Sequence, residues 1–224
     1  MTVVIATQNV RGGQGKTFWA YHLAWFFAEQ GLKTMLVDAD NAENSSTTRW
    51  VRRRAENNHD VKFRAFRGTS IDKLLARSKE FDVAVFDFGG STHNIADQKL
   101  VQSEADLILL PMIALGSNEE QMLEMHDLLK KRNVKHKVII TQAIGGNRAI
   151  ATAERMRAAG IDVVDTIPRI REAAMAGWET GRTVPETIAE KSAVQLIKNI
   201  VGSKSQQVKD REKSSEEILK VLFE

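Results

Sequence analysis

A glycine-rich loop between an apolar run and a helical segment is the feature that most constrains the fold of this chain. Residues 3–7, VVIAT, predict a buried strand, residues 9–15 form the loop, and residues 16–30 predict a helix that ends at Gly31. The N–H groups of such a loop and of the following helix can surround phosphate oxygens, because glycine tolerates positive φ and lets the backbone approach closely. The unit predicts a nucleotide-phosphate site on an α/β fold; a tight turn without a ligand is the alternative.

The loop departs from the common phosphate-binding pattern G-x-x-x-x-G-K-S/T. Counting back from the Gly-Lys-Thr of residues 15–17 places Val10 where that pattern has its first glycine, and Arg11 precedes two further glycines. Lys16 is expected to reach the β- and γ-phosphates, and the Thr17 hydroxyl to ligate Mg²⁺.

Short apolar runs alternate with helical patterns along the chain, which is typical of βαβ units on a parallel sheet. The helix at residues 16–30 is apolar on almost all sides, so we expect other elements to cover it on several sides. The sequence therefore predicts a three-layer α/β fold of the P-loop NTPase type, with a mostly parallel central sheet flanked by helices. Further strands are predicted at residues 34–40, 61–66 (an edge strand), 83–87, 107–111, 137–141 and 163–167, and helices at about 47–57 and 71–81.

Carboxylates stand at the ends of two predicted strands. Asp38 and Asp40 end the second strand, and Asp87 ends the strand at 83–87. Because the carboxyl ends of parallel strands lie at one edge of a sheet, we expect these side chains near the loop, where a phosphate-bound metal needs an acidic contact. Gly89 and Gly90, which follow Asp87, add a flexible backbone N–H that could contact the γ-phosphate. Acidic caps of the following helices are the alternative.

Composition narrows the chemistry further. Of the 224 residues, 42% are hydrophobic and 27% charged, which is typical of a globular protein. The chain has no cysteine, which excludes disulfide frameworks, iron–sulfur clusters and cysteine nucleophiles. Its N-terminus lacks the pattern of a signal peptide, and no run nears the roughly 18 apolar residues of a membrane span, so we expect a cytoplasmic protein. The histidines show no spacing typical of metal ligands: His22, His59, His93, His126 and His136.

Residues 11–17, RGGQGKT, resemble the deviant Walker A motif, K-G-G-x-G-K-S/T, of the ParA/MinD superfamily of partition and positioning ATPases. Residues 37–40, VDAD, resemble the switch I of that family, and residues 86–90, FDFGG, resemble its Walker B and switch II. Weaker similarity follows at residues 138–146 and 165–186. The chain length suits the small plasmid-type ParA proteins.

The resemblance implies roles for individual residues. Asp40 would polarise the attacking water, and Asp87 would hold Mg²⁺ together with Thr17. Arg11 stands where the family has a signature lysine that crosses to the phosphates of a facing subunit, so Arg11, Lys16 and Asp40 form the expected catalytic set. Arginine keeps the positive charge but prefers bidentate contacts. The implied nucleotide-binding set is Gly12, Gly13, Gln14, Gly15, Lys16, Thr17, Phe18, Gly90, Gln142, Pro168 and Arg169.

The implied function is a slow, Mg²⁺-dependent ATPase that dimerises on ATP, binds nonspecific DNA and segregates or positions a plasmid or other cargo with a centromere-binding or cargo adaptor protein. A basic stretch at residues 49–67 could contact DNA phosphates; a solvated helix face is the alternative. A MinD-like membrane-associated ATPase and a metabolic P-loop enzyme are the alternative functions. Further cations for a DNA surface are Arg155, Arg157, Arg169, Arg171, Arg182, Lys191 and Lys198.

The last part of the chain differs from the rest in its pattern. We expect residues 1–201 to form the ATPase domain and residues 202–224 to form a polar linker and a C-terminal amphipathic helix. Residues 216–224, EEILKVLFE, carry three glutamates and one lysine, whereas helices on membrane surfaces are usually rich in lysine and arginine. Packing on protein is therefore favoured over membrane binding.

Overall fold

The computed structural model describes residues 2–40, 45–68, 70–89, 95–141, 146–164 and 177–183. Strands and helices alternate along these ranges, as the sequence pattern predicts. In chain order they are β1 (Val3–Thr7), α1 (Lys16–Glu29), β2 (Thr34–Asp38), α2 (Ser46–Glu56), β3 (Arg64–Arg67), α3 (Ile71–Ser78), β4 (Val83–Asp87), α4 (Ile95–Glu104), β5 (Leu107–Ile113), α5 (Gly116–Lys131), β6 (His136–Thr141), α6 (Gly146–Ala158) and β7 (Val163–Val164).

The seven strands form one sheet in the order β3-β2-β4-β1-β5-β6-β7, and their pairings are all parallel. After β1 the chain builds outward through β2 and β3 on one side, and later through β5, β6 and β7 on the other. The carboxyl end of β1 therefore lies where the strand order reverses, which is where open α/β sheets bind their ligands. The predicted fold class is confirmed.

Two hydrophobic cores cover the two faces of the sheet. Successive residues of a strand point to opposite faces, so Ile5 belongs to one core while Val4 and Ala6 belong to the other. The first core contains α1, which is buried around nearly its whole circumference, as its apolar pattern predicts. Tyr21 and Phe27 of this helix are 0% exposed, because the sheet covers one side of α1 and Trp50 of α2 packs on another.

Strand β3 lies at the edge of the sheet, as expected, but it begins three residues later than the sequence pattern indicates. Its pairing with β2 starts at Arg64, opposite Met35. The preceding apolar residues, Val61 and Phe63, pack instead against the core that contains α1. Their hydrophobicity therefore reflects packing before the strand rather than a place within it.

Strand β7 comprises Val163–Val164, and the remainder of the strand predicted to reach residue 167 lies outside the described residues. The expected tail at residues 202–224 lies outside them as well. Within the described ranges, no helix has the length and apolar character needed to cross a membrane.

Candidate nucleotide-binding site

The glycine-rich loop leaves the carboxyl end of β1 and leads directly into α1. Gly13 and Gly15 have φ of 72° and 89°, in the left-handed region that favours glycine. Gly15 caps the start of α1, and a Cβ atom at this position would lie 3.3 Å from Cγ2 of Thr141. The Thr141 hydroxyl donates to the Gln14 carbonyl at 3.0 Å, which ties the loop to β6.

Lys16, the first residue of α1, places its ammonium group beside this loop. The side chain is largely buried, and Nζ donates to the Arg11 carbonyl at 2.8 Å. Burial lowers the pKa of Lys16, whereas the negative charges of Asp87 and Asp40 raise it. An anion that enters the loop would therefore stabilise the charged form of this ammonium group.

Thr17 in the first turn of α1 contacts Asp87 at the end of β4. The Thr17 hydroxyl donates to Oδ2 of Asp87 at 2.7 Å, the Thr47 hydroxyl donates to the same oxygen at 2.5 Å, and Thr7 donates to Oδ1 at 3.2 Å. Burial raises the pKa of Asp87 to about 6, although the hydrogen bonds from Thr47 and Thr17 lower it. A carboxylate and a hydroxyl side by side are oxygen ligands of the kind that Mg²⁺ prefers.

Asp38 and Asp40 have different surroundings at the end of β2. Asp38 is buried, and its Oδ2 accepts hydrogen bonds from the Ser45 and Thr48 hydroxyls, the latter at 2.6 Å. Asp40 is partly exposed and packs against Gly89, where an added Cβ atom would lie 2.7 Å from the Asp40 carboxyl carbon. Asp38 therefore joins β2 to the start of α2, whereas Asp40 faces the loop that follows β4.

Arg11 extends away from the loop toward the start of α5. Its Nη1 donates to the Ser117 hydroxyl at 3.2 Å and to Oδ1 of Asn118 at 3.1 Å. Gln14, expected to bind nucleotide, is buried, and its Oε1 accepts from the Ile113 N–H at 2.8 Å. Arg11 therefore contacts the start of α5, and Gln14 contacts the end of β5, within their own subunit.

The remaining predicted site residues are placed as follows. The Phe18 ring turns away from the loop and packs on His22, with ring centroids 4.0 Å apart, and near Trp50 at 6.0 Å. Gly12 is exposed in the loop. Gly90, Gln142, Pro168 and Arg169 lie outside the described residues.

Sequence reasoning missed the hydroxyl groups that join α2 to the site. Ser45 accepts from the Thr48 N–H as the cap of α2, and the run Ser45–Thr48 supplies three hydroxyls to Asp38 and Asp87. The signal available in the sequence was this Ser-Ser-Thr-Thr run ahead of a helix, which is typical of an N-cap. Its second role depends on the position of β4 beside β2, which the sequence pattern does not contain.

The basic stretch at residues 49–67 divides into buried and exposed cations. Arg54 is 3% exposed and donates to the Asp60 and Gly181 carbonyls, at 2.6 and 3.3 Å. Arg53 lies 4.5 Å from the centre of the Trp178 ring and donates to the Trp178 carbonyl. The exposed cations of the stretch are Arg49, Arg52, Lys62, Arg64 and Arg67.

Among the later cations proposed for a DNA surface, Arg155 forms an ion pair with Glu119 at 2.7 Å, and Arg157 donates to the Val163 carbonyl. Arg182 is exposed, and Arg169, Arg171, Lys191 and Lys198 lie outside the described residues.

A histidine pair was also missed. Nδ1 of His126 lies 2.7 Å from Nε2 of His136, a contact that links α5 to β6 and that their spacing in the sequence does not suggest. In the part of the chain that the structure describes, no group of three or more histidine, cysteine, aspartate or glutamate side chains is arranged to hold a metal ion.

The residues at this edge fit a magnesium nucleotide. Gly13 and Gly15 of the loop have left-handed backbone conformations, and the buried ammonium group of Lys16 lies beside the loop. Thr17 and Asp87 place a hydroxyl and a carboxylate together at the start of α1. Such a set can bind polyphosphate and place a divalent cation beside it. Asp40 supplies a second carboxylate near Lys16.

A parallel sheet with a glycine-rich loop after its central strand defines a P-loop NTPase fold. The family model described as the CobQ/CobB/MinD/ParA nucleotide binding domain matches residues 5–179, and the chain belongs to this family. The resemblance to the ParA/MinD superfamily is thereby confirmed.

Solved structures share the fold, and a curated relative matches a short part of the chain. The septum site-determining protein MinD of Pyrococcus horikoshii, complexed with Mg-ADP, superposes with a TM-score of 0.68 at 15% identity, over 95% of this chain and 100% of that one. A plasmid partition protein of Borrelia burgdorferi bound to AMPPNP gives 0.67 at 19% identity, over 89% and 97%. Protein IncC of Escherichia coli is 49% identical over 47 residues, which span 21% of this chain and only 13% of IncC.

Proposed function

We propose that this protein is a Mg²⁺-dependent ATPase that dimerises when it binds ATP and that positions or segregates a plasmid or another cargo. The observation that carries the proposal is the convergence of Lys16, Thr17 and Asp87 at one end of α1, next to a loop whose glycines take left-handed conformations. ATP and Mg²⁺ are the cofactors, because the site combines a polyphosphate loop with oxygen ligands for a hard cation.

Each residue contributes a separate function to the reaction. Lys16 binds the β- and γ-phosphates, and Thr17 and Asp87 hold Mg²⁺, which neutralises phosphate charge when bound. Asp40 orients the attacking water from beside Gly89. Arg11 provides a positive charge to the phosphates of a facing subunit. The remaining loop residues, with Gly90, Gln142, Pro168 and Arg169, complete the nucleotide site.

The proposal of cargo positioning is supported by the similar proteins. A plasmid partition protein and a septum site-determining protein share this fold, and both were solved with a nucleotide. A homodimer formed on ATP and released by hydrolysis is a switch of the kind that a positioning system requires. An adaptor bound to the cargo and the nonspecific DNA of the nucleoid are its proposed partners, in the cytoplasm.

The exposed cations on and after α2 support the DNA part of the proposal. Arg49 and Arg52 are exposed on α2, and Arg64 and Arg67 are exposed on the edge strand β3. Such a surface can bind phosphates without reading bases. Because Thr47 of the same helix bonds to Asp87, α2 connects this surface to the proposed metal site.

The test measures mass in solution and phosphate release together. The parent should be a monomer without nucleotide and a dimer with Mg-ATP, and it should hydrolyse ATP slowly. Lys16→Ala should neither dimerise with Mg-ATP nor hydrolyse ATP. Asp40→Ala should still dimerise with Mg-ATP but should not hydrolyse it. Lys130→Ala, which removes an exposed lysine of α5, is the matched control and should behave like the parent. A Lys16→Ala variant that hydrolyses ATP at the parental rate would falsify the proposal.

A further inference from the structure

The guanidinium group of Arg11 contacts two residues in the first turn of α5. Its Nη1 lies 3.2 Å from Oγ of Ser117 and 3.1 Å from Oδ1 of Asn118. We refer to these two hydrogen bonds as the α5 contact. The contact joins the glycine-rich loop to the first turn of α5 within one subunit.

The main chain of Arg11 is fixed separately from its side chain. The Arg11 N–H donates to Oδ1 of Asn9 at 3.0 Å, and Nδ2 of Asn9 donates to the Pro111 carbonyl at 2.6 Å. The Arg11 carbonyl accepts from Lys16. With the backbone fixed in this way, the α5 contact decides where the guanidinium group points.

The α5 contact is a poor electrostatic site for a cation. Both acceptors are neutral oxygens, and the N-terminus of a helix carries a partial positive charge. Glu119, in the same turn, bonds to Arg155 and Thr152 of α6. A phosphate oxygen carries negative charge, so it attracts the guanidinium group more strongly than the two neutral side-chain oxygens do, and a phosphate can displace Ser117 and Asn118.

We propose that Ser117 and Asn118 are positioning residues that hold Arg11 on its own subunit, and that ATP-dependent dimerisation requires the release of this α5 contact. The inference rests on the proposed function, because it gives Arg11 its partner in the facing subunit. The α5 contact then stabilises the monomer relative to the dimer. A stronger α5 contact raises the protein concentration at which ATP produces the dimer.

Ser117 is the better position for a test. Nδ2 of Asn118 also donates to the Ile113 carbonyl at 3.0 Å and to Oε1 of Gln14, so changes at Asn118 would disturb the loop itself. Ser117 is exposed, and its hydroxyl accepts from Arg11.

Three variants change the α5 contact in graded steps. Ser117→Ala removes one exposed hydrogen bond from the guanidinium group and should lower the dissociation constant of the dimer by roughly two- to tenfold. Ser117→Asp offers Arg11 a carboxylate and should raise that constant at least about tenfold, an effect that added salt should weaken. Ser117→Thr keeps the hydroxyl and should match the parent. The dimer is measured by analytical ultracentrifugation with Mg²⁺ and a non-hydrolysable ATP analogue.

The same Ser117 substitutions in an Arg11→Ala background distinguish effects that act through the Arg11 guanidinium group from effects of Ser117 itself on dimerisation. Without the guanidinium group, Ser117→Ala and Ser117→Asp should have no effect on dimerisation, because both act through Arg11. The affinity of the monomer for a fluorescent ADP should be equal in all the Ser117 variants.

Two results would overturn the inference while the proposed function stands. In the first, the parent dimerises with the analogue, and the Ser117→Asp variant dimerises with the same dissociation constant. In the second, Ser117→Asp still weakens the dimer when Arg11 has been replaced by alanine. A parent that stays monomeric with the analogue would overturn the proposed function, and this inference with it.

Discussion

At the scale of single residues, the burial of Asp87 raises the pKa of its carboxyl group, although hydroxyl groups donate to it and lower that pKa. Its pKa in the folded chain is raised to about 6 from an ordinary value of 3.8, so the folded state binds the proton more tightly than the unfolded state. The stability that this provides is complete below pH 4 and is lost as the pH rises through 6. A shift of about two pKa units corresponds to a free energy on the order of 3 kcal/mol.

Asp87→Asn should therefore gain stability relative to the parent as the pH rises from 4 to 7 in metal-free buffer. We expect a gain on the order of 2–3 kcal/mol across this window, measured by urea unfolding at each pH with a chelator present. Glu80→Gln removes an exposed carboxylate and is the control, for which the difference from the parent should stay nearly constant. A constant difference for Asp87→Asn as well would show that this carboxyl ionises normally in the folded chain.

At the scale of elements, the short segment at residues 177–183 is attached to α1 and α2 through Gly181. Its carbonyl accepts from the Tyr21 hydroxyl at 2.7 Å and from Arg54 at 3.3 Å, and Trp178 packs on Trp50. Gly181 has a φ of 75°, and an added Cβ atom would lie 2.2 Å from the backbone nitrogen of Arg54. The backbones approach so closely that only glycine fits.

Gly181→Ala should therefore destabilise the protein more than a glycine change that meets open space. Gly160 is the matched control, because its φ of 84° is similar and an added Cβ would have no neighbour within 4 Å. We expect Gly160→Ala to cost about 1–2 kcal/mol for its left-handed backbone, and Gly181→Ala to cost a further 1–3 kcal/mol for the overlap. Denaturant unfolding followed by tryptophan fluorescence measures both. Equal costs would contradict the close approach of these two backbones.

The elements also show what the sequence could and could not predict. The strands, α1 and the glycine loop were predictable because periodicity and glycine chemistry are local properties. The hydrogen bond of Thr47 to Asp87 was not, because residues far apart in the chain meet only when β4 inserts between β1 and β2. For the same reason, the α5 contact of Arg11 with Ser117 could not be inferred from the loop alone.

At the scale of the whole molecule, the small net charge of +3 conceals an uneven distribution. The exposed arginines of α2 and β3 lie on the β2–β3 side of the sheet, whereas Arg54, in the same basic stretch, is buried among carbonyl groups. Counting basic residues in the sequence therefore overstates the surface that can meet an anion. Only the structure separates the cations that are buried in the fold from those that are exposed at its surface.

This separation predicts two classes of arginine variant if the protein binds nonspecific DNA. Arg52→Ala and Arg64→Ala should each reduce the slope of log affinity against log salt by about 1, because each removes one phosphate contact, and should change stability by less than about 0.5 kcal/mol. Arg54→Ala should instead lower the free energy of unfolding by about 1–3 kcal/mol, because it removes a buried side chain together with its hydrogen bonds to the Asp60 and Gly181 carbonyls. DNA binding is measured by fluorescence anisotropy over a salt series with the ATP analogue present. The control is Lys130→Ala, which removes an exposed cation from another helix, α5. If Arg52→Ala and Arg64→Ala leave the slope unchanged, DNA does not bind at this side of the sheet.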